Sequence, residues 1–135
     1  MVTNITEIAV TFVDESELGD NLHTGVLELP AELTVLELLL RRVEFDCRTF
    51  AAGWDEPFRG LVQPLEVTEV DDEVVLSTPA SPDSTLLLDV AVRAFSDGIL
   101  DIYLGEQPLA GATDIVRIST ESTITFVKRS PLVAQ

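Results

Sequence analysis

Residues 6–14 (TEIAVTFVD) alternate, with Ile8, Val10 and Phe12 on one face and Ala9, Thr11 and Val13 on the other. That two-residue period predicts a β-strand. The polar run ESELGDN at 15–21 reads as a turn, and 22–29 (LHTGVLEL) as a second strand ended by Pro30, which cannot donate to a ladder. So short a connection predicts an antiparallel hairpin.

The period then changes from two to nearly four. Thr34 and Glu37 stand three apart as a capping box, T-x-x-E, with Leu33 and Leu38 at the spacing of a hydrophobic staple. The helix they open carries Leu36, Leu39, Leu40, Val43 and Cys47 as its apolar stripe, with Arg41, Arg42 and Glu44 outside it. It is expected to end near Phe50, with Gly53 as the stop. Residues 54–64 (WDEPFRGLVQP) are irregular, and 65–76 (LEVTEVDDEVVL) read as two short strands or as one broken at Asp71 and Asp72. After a linker-like loop (STPASPD), Ser81 can cap a second helix with Pro82 at its first position and Asp83 in its first turn. Leu87, Val90, Ala91 and Ala94 line one side of that helix, and Gly98 follows it. A strand at 99–104, a turn at GEQP, a short element at 114–118 and a strand at 122–129 complete the chain. In the last strand Ile124, Phe126 and Lys128 share a face. Val10 and Phe12 need cover, so the last strand should return beside the first.

The order of hairpin, capped helix, strand, short turn and final strand resembles the ubiquitin-like β-grasp superfamily. YLGEQPL at 103–109, ATDIVRI at 112–118 and ESTITFVKR at 121–129 resemble the closing part of ubiquitin, and ITFVKRSPLV at 124–133 is similar to the end of the molybdopterin-synthase small subunit and its sulfur-carrier relatives. The resemblance implies an α+β fold: a mixed sheet of four or five strands with one helix packed across it. It implies a single domain over 1–135, with a core at about 5–50 and 97–133. The stretch of about 51–96 becomes an inserted strand-and-helix segment. Carriers of this family act through a C-terminal Gly-Gly, whereas this chain ends Ala134-Gln135.

Charge narrows the partners. Twenty-four acidic residues against eight basic ones give a net charge of −16. Such a field repels nucleic acid and anionic membrane and favours a basic protein. Lys128 is the only lysine among the basic residues, a skew that suits a GC-rich bacterial or archaeal genome or a salty cytoplasm. No apolar run is long enough to span a bilayer and no leader pattern opens the chain, so a cytoplasmic location is expected. Cys47 has no partner for an internal disulfide, and a buried, inert thiol is expected.

Catalytic signatures are missing from the sequence. It holds no CxxC, HExxH, GxSxG, Walker loop or Rossmann fingerprint, and carboxylates are too many for one pair to stand out. No enzyme activity, cofactor or metal site is therefore expected. The acidic groups Asp14, Glu15, Glu17, Asp20 and Asp71, Asp72, Glu73 read as solvated turns, and His23 as an isolated strand histidine. The partner-binding candidates are Trp54, Phe58, Arg59 and Leu61, with a core plug as the alternative role for the two aromatics. The tail Pro131, Leu132, Val133, Ala134 and Gln135 joins them. The expected function is a non-catalytic ubiquitin-like interaction module. The alternatives are a modifier or sulfur carrier loaded at its tail by an activating enzyme, and an acidic nucleic-acid mimic that blocks a basic protein.

Overall fold

The computed structural model describes residues 7–53 and 57–135. The first strand, β1 (Glu7–Ser16), turns Val10, Phe12 and Asp14 inward, and β2 (Asn21–Pro30) turns in Leu27 and Leu29. The two pair antiparallel, with Phe12 opposite Gly25. A Cβ on Gly25 would stand 2.6 Å from the Phe12 ring, so the glycine leaves the space that the ring fills. A register shift between Asp14 and Glu15 leaves Leu22 outside the ladder, as at a β-bulge.

The short β3 (Glu32–Thr34) leads into α1 (Val35–Ala52). Thr34 caps the helix as the sequence predicts, its hydroxyl accepting from the Glu37 N–H at 3.1 Å. The buried face differs from the expected stripe. It consists of Val35, Leu38, Leu39, Arg42, Val43 and Asp46, while Leu36 and Leu40 are 43% and 37% exposed. The helix has more leucines than one face can hold, and two charged side chains that pair with each other take inward positions.

The middle segment contains β4 (Gln63–Pro64), β5 (Glu66–Val70), β6 (Glu73–Ser77) and α2 (Ser84–Ser96). The α2 cap is Asp83, whose carboxylate accepts from the Thr85 and Leu86 N–H groups at 3.0 and 3.3 Å. The expected cap at Ser81 is thus displaced by two residues. A carboxylate satisfies two free donors and also suits the positive end of the helix. The C-terminus closes in a Schellman pattern: Gly98, at φ +76°, donates to Phe95 O, and Ile99 donates to Ala94 O.

The rest of the chain is β7 (Leu100–Leu104), β8 (Gln107–Pro108), β9 (Ile115–Arg117), β10 (Thr123–Lys128) and β11 (Val133–Ala134). The fold is α+β. Its main sheet has five strands in the order β2-β1-β10-β7-β8. The last long strand does return beside the first: β10 lies parallel to β1, with Phe12 opposite Ile124 and Asp14 opposite Phe126. It is antiparallel to β7, which makes the sheet mixed. Two-stranded pairs β3–β9, β4–β11 and β5–β6 flank it.

One buried cluster joins Val10, Phe12, Leu38, Ile102 and Phe126 to Phe58, Leu61, Leu87 and Ala91. The middle segment thus contributes to the common interior. Burying α2 requires this, because its Leu87, Ala91 and Ala94 need an apolar surface and find it on α1 and β7. Among the described residues no helix is long and apolar enough to cross a membrane.

Candidate functional site

The chain buries a charged cluster at one end of its core. Continuing the inward stripe of β1 past Val10 and Phe12 reaches Asp14; continuing that of β10 past Ile124 and Phe126 reaches Lys128. Both stripes turn from apolar to charged at the same end, where α1 presents Arg42 and Asp46 one turn apart. Arg42 is fully buried, and Asp14 and Asp46 nearly so.

The Arg42 guanidinium donates through both terminal nitrogens to the two Asp14 oxygens, each at 2.6 Å. Its Nε donates to Asp46 at 2.9 and 3.1 Å. Its carbon lies 4.1 Å from the centroid of the Phe12 ring and 5.0 Å from that of Phe126. Asp46 also accepts the Leu61 N–H at 2.9 Å, and Lys128 Nζ donates to Leu61 O at 3.2 Å. A planar fork matches one carboxylate side-on and another end-on, and its flat faces stack on aromatic rings.

Burial pulls the guanidinium towards its neutral form, but the hydrogen bonds and charges of Asp14 and Asp46 outweigh it and hold the proton more firmly than usual. Desolvation raises Asp46 above the ordinary carboxylate range, against the pull of Arg42 and the Leu61 N–H. Desolvation lowers Lys128, with Arg42 adding to the effect and Asp14 opposing it. Among the described residues no buried side-chain polar atom lacks a partner. Each side-chain nitrogen and oxygen buried in the cluster therefore has at least one partner, and what the cluster can do chemically is hold β1, α1, β10 and the 58–62 loop together. Asp14, expected as part of a solvated turn, is instead the inner anchor of this cluster.

The predicted site residues divide between core and surface. Trp54 lies outside the described residues. Phe58 is buried, with its ring edge-on to Phe50 at 5.4 Å between centroids, and Leu61 is fully buried beside Asp46. Phe58 thus takes the core-plug role, and Leu61 offers a partner no surface. Arg59 is exposed and lines a cleft of about 410 Å³ with His23, Phe50 and Pro57. Cys47 is half-buried and its thiol is raised, first by burial and then by Asp46 and Asp83.

The tail is docked along β4. Val133 and Ala134 pair parallel with Gln63 and Pro64, and the Gln63 and Leu65 N–H groups donate to Leu132 O and Ala134 O at 2.8 Å each. Leu132 and Ala134 are buried, whereas Pro131, Val133 and Gln135 face solvent. The structure does not bring the loop candidate Arg59 and the tail candidates to one lined cleft.

Sequence reasoning passed over the apolar side chains left outside. Leu18 and Leu22 are exposed at the β1–β2 turn, in a cleft of about 450 Å³ that also takes in Lys128 and Pro131. The pair β5–β6 exposes Val67, Val70, Val74, Val75 and Leu76. Five apolar residues in twelve, in a stretch with no helix nearby to cover them, was the available signal. Among the described residues no group of three or more His, Cys, Asp or Glu side chains could hold a metal ion. Comparison with known proteins adds no relative: no family model, curated protein or solved structure matches the chain.

Proposed function

We propose that the chain is a non-catalytic interaction module on a ubiquitin-like β-grasp scaffold, docking onto a basic protein partner. The observation that carries the reading is the sheet order β2-β1-β10-β7-β8, with β1 and β10 parallel at its centre and α1 following the opening hairpin. The resemblance of the sequence to ubiquitin-like proteins implies a mixed sheet of four or five strands with one helix across it, and a mixed five-stranded sheet with a helix after the opening hairpin supports that reading. The step from scaffold to docking is an argument from fold resemblance. The net charge of −16 supplies the partner's sign, since complementary fields steer association.

The docked tail bears on the carrier alternative. Threading the tail into an activating enzyme would withdraw Leu132 and Ala134 from their buried positions and break two backbone hydrogen bonds.

Reconstitution tests the reading. A protein recovered in stoichiometric amount with the chain is purified and titrated against it, and the mass of the chain is measured before and after. The module reading expects a saturable complex that weakens as salt rises, with the mass unchanged. A chain that gains mass at its C-terminal carboxylate when given ATP and an activating enzyme is a carrier, and the reading then fails. It also fails if no purified protein forms a saturable complex.

A further inference from the structure

We propose that the β5–β6 hairpin is a docking finger that enters an apolar cleft rimmed by lysine or arginine on a protein partner. The inference rests on the interaction-module reading and assigns its contact surface. None of the ten strand residues of the hairpin is buried, and β5 and β6 make no extensive contact with any other helix or strand. A lone two-stranded hairpin is marginal in water. This one nevertheless leaves Val67, Val74 and Leu76 on one face and Val70 and Val75 on the other, as its register dictates. Val74 is 64% exposed and Leu76 58%.

Charge selects the occupant. The hairpin carries Glu66, Glu69, Asp71, Asp72 and Glu73 and no basic residue. Its cross-strand pairs set Glu66 opposite Ser77, Glu69 opposite Val74 and Glu73 opposite Val70, so no counter-charge faces any carboxylate across the ladder. Among the described residues no salt bridge reaches these carboxylates. Asp71 and Asp72 both sit at positive φ, +52° and +64°. This is the backbone of a tight hairpin turn, and it sets two carboxylates at the tip. A second copy of the chain would bring a like-charged finger and a like-charged surface, which is repulsive. A cationic rim neutralises the tip while the apolar side chains lose water, and complementary charge then fixes orientation and speeds encounter.

The test uses a synthetic strand peptide of alternating arginine and valine as probe, with a second peptide in which serine replaces every valine. Amide chemical shifts of the full chain are followed during titration. The expected result is shifts confined to residues 66–77, affinity that falls steeply with salt, and about tenfold weaker binding of the serine peptide. The variant V67T/V74T/L76T should also bind about tenfold less tightly. Threonine keeps strand propensity, and cross-strand contacts between residues 68 and 75 report that the hairpin still forms. Shifts that spread over the acidic surface, or binding equal for both peptides, overturn the proposal. So does self-association of the unmixed chain, or uptake by neutral phosphatidylcholine vesicles, if either is lost in the variant. A probe held at another defined surface removes the hairpin and leaves the module reading, whereas a probe bound nowhere removes both.

Discussion

Replacing Arg42 with methionine should be among the most damaging single substitutions in the chain. Methionine fills much of the arginine stem but carries no charge, so Asp14 and Asp46 remain buried, close together and without their counter-ion. Removing one partner from a buried ion pair typically costs about 3–5 kcal/mol. Against a total stability of roughly 5–15 kcal/mol, that leaves a marginal fold. For a chain of this length it corresponds to a Tm lower by about 10–20 °C. Urea is the better denaturant for the assay, because guanidinium salts raise ionic strength and screen the exposed charges of a chain of net charge −16. The pH dependence separates this cause from simple loss of packing. Desolvation already raises Asp46 against the pull of Arg42; without Arg42 the folded state binds that proton more tightly still, so stability falls as pH rises through that window. The deficit of Arg42→Met should therefore shrink as pH is lowered from 7 towards 5. The variant D14L/R42M/D46N removes the buried charge and keeps an oxygen for the Leu61 N–H, and should recover more than half of the loss. A cost below about 1 kcal/mol, or a deficit independent of pH, would refute the reasoning.

Three further outcomes follow from separate parts of the molecule. Gly25→Ala drives a methyl into the Phe12 ring and should cost about 1–3 kcal/mol in urea unfolding; an unchanged midpoint would mean that β2 is not in register with Phe12. Asp83→Ala removes the acceptor of two helix N–H groups and should cost about 1 kcal/mol, whereas Ser81→Ala should be silent; the reverse order would move the cap. Burial lowers Lys128 below 10.5, so the native state holds that proton less tightly than the unfolded chain does. Relative to Lys128→Met, the unaltered chain should gain stability as pH rises from the lowered value towards 10.5; a difference that stays flat or falls would contradict the burial of Lys128 Nζ.

The elements that obey a strong local rule were legible in the sequence. The alternation at 8–12, the Thr34 cap and the return of the last strand beside the first follow from period, capping chemistry and the need to cover Val10 and Phe12. The buried face of α1 was not legible, because hydrophobicity ranks Leu36 and Leu40 above Arg42 and Asp46. Burial of the charged pair depends on partners far away in sequence: Asp14 is 28 residues from Arg42, and the Leu61 N–H is 15 residues from Asp46. One hint existed, since Asp14 and Lys128 each extend an inward stripe by two residues. The packing of the middle segment was not legible for a similar reason. Its helix shows an apolar side, but no local pattern says which surface receives it. The tail at 131–135 carries no local signal for its pairing with Gln63 and Pro64.

The proposed scaffold and function rest on the parallel contact between the first and last long strands. Backbone nuclear Overhauser effects measured in solution across that contact test it directly. The account predicts a parallel ladder running from Thr11 opposite Thr123 to Ser16 opposite Lys128, with Phe12 ring protons close to Ile124 and to the Arg42 side chain. An antiparallel pattern, or a last strand bonded to β2 at the sheet edge, would contradict it.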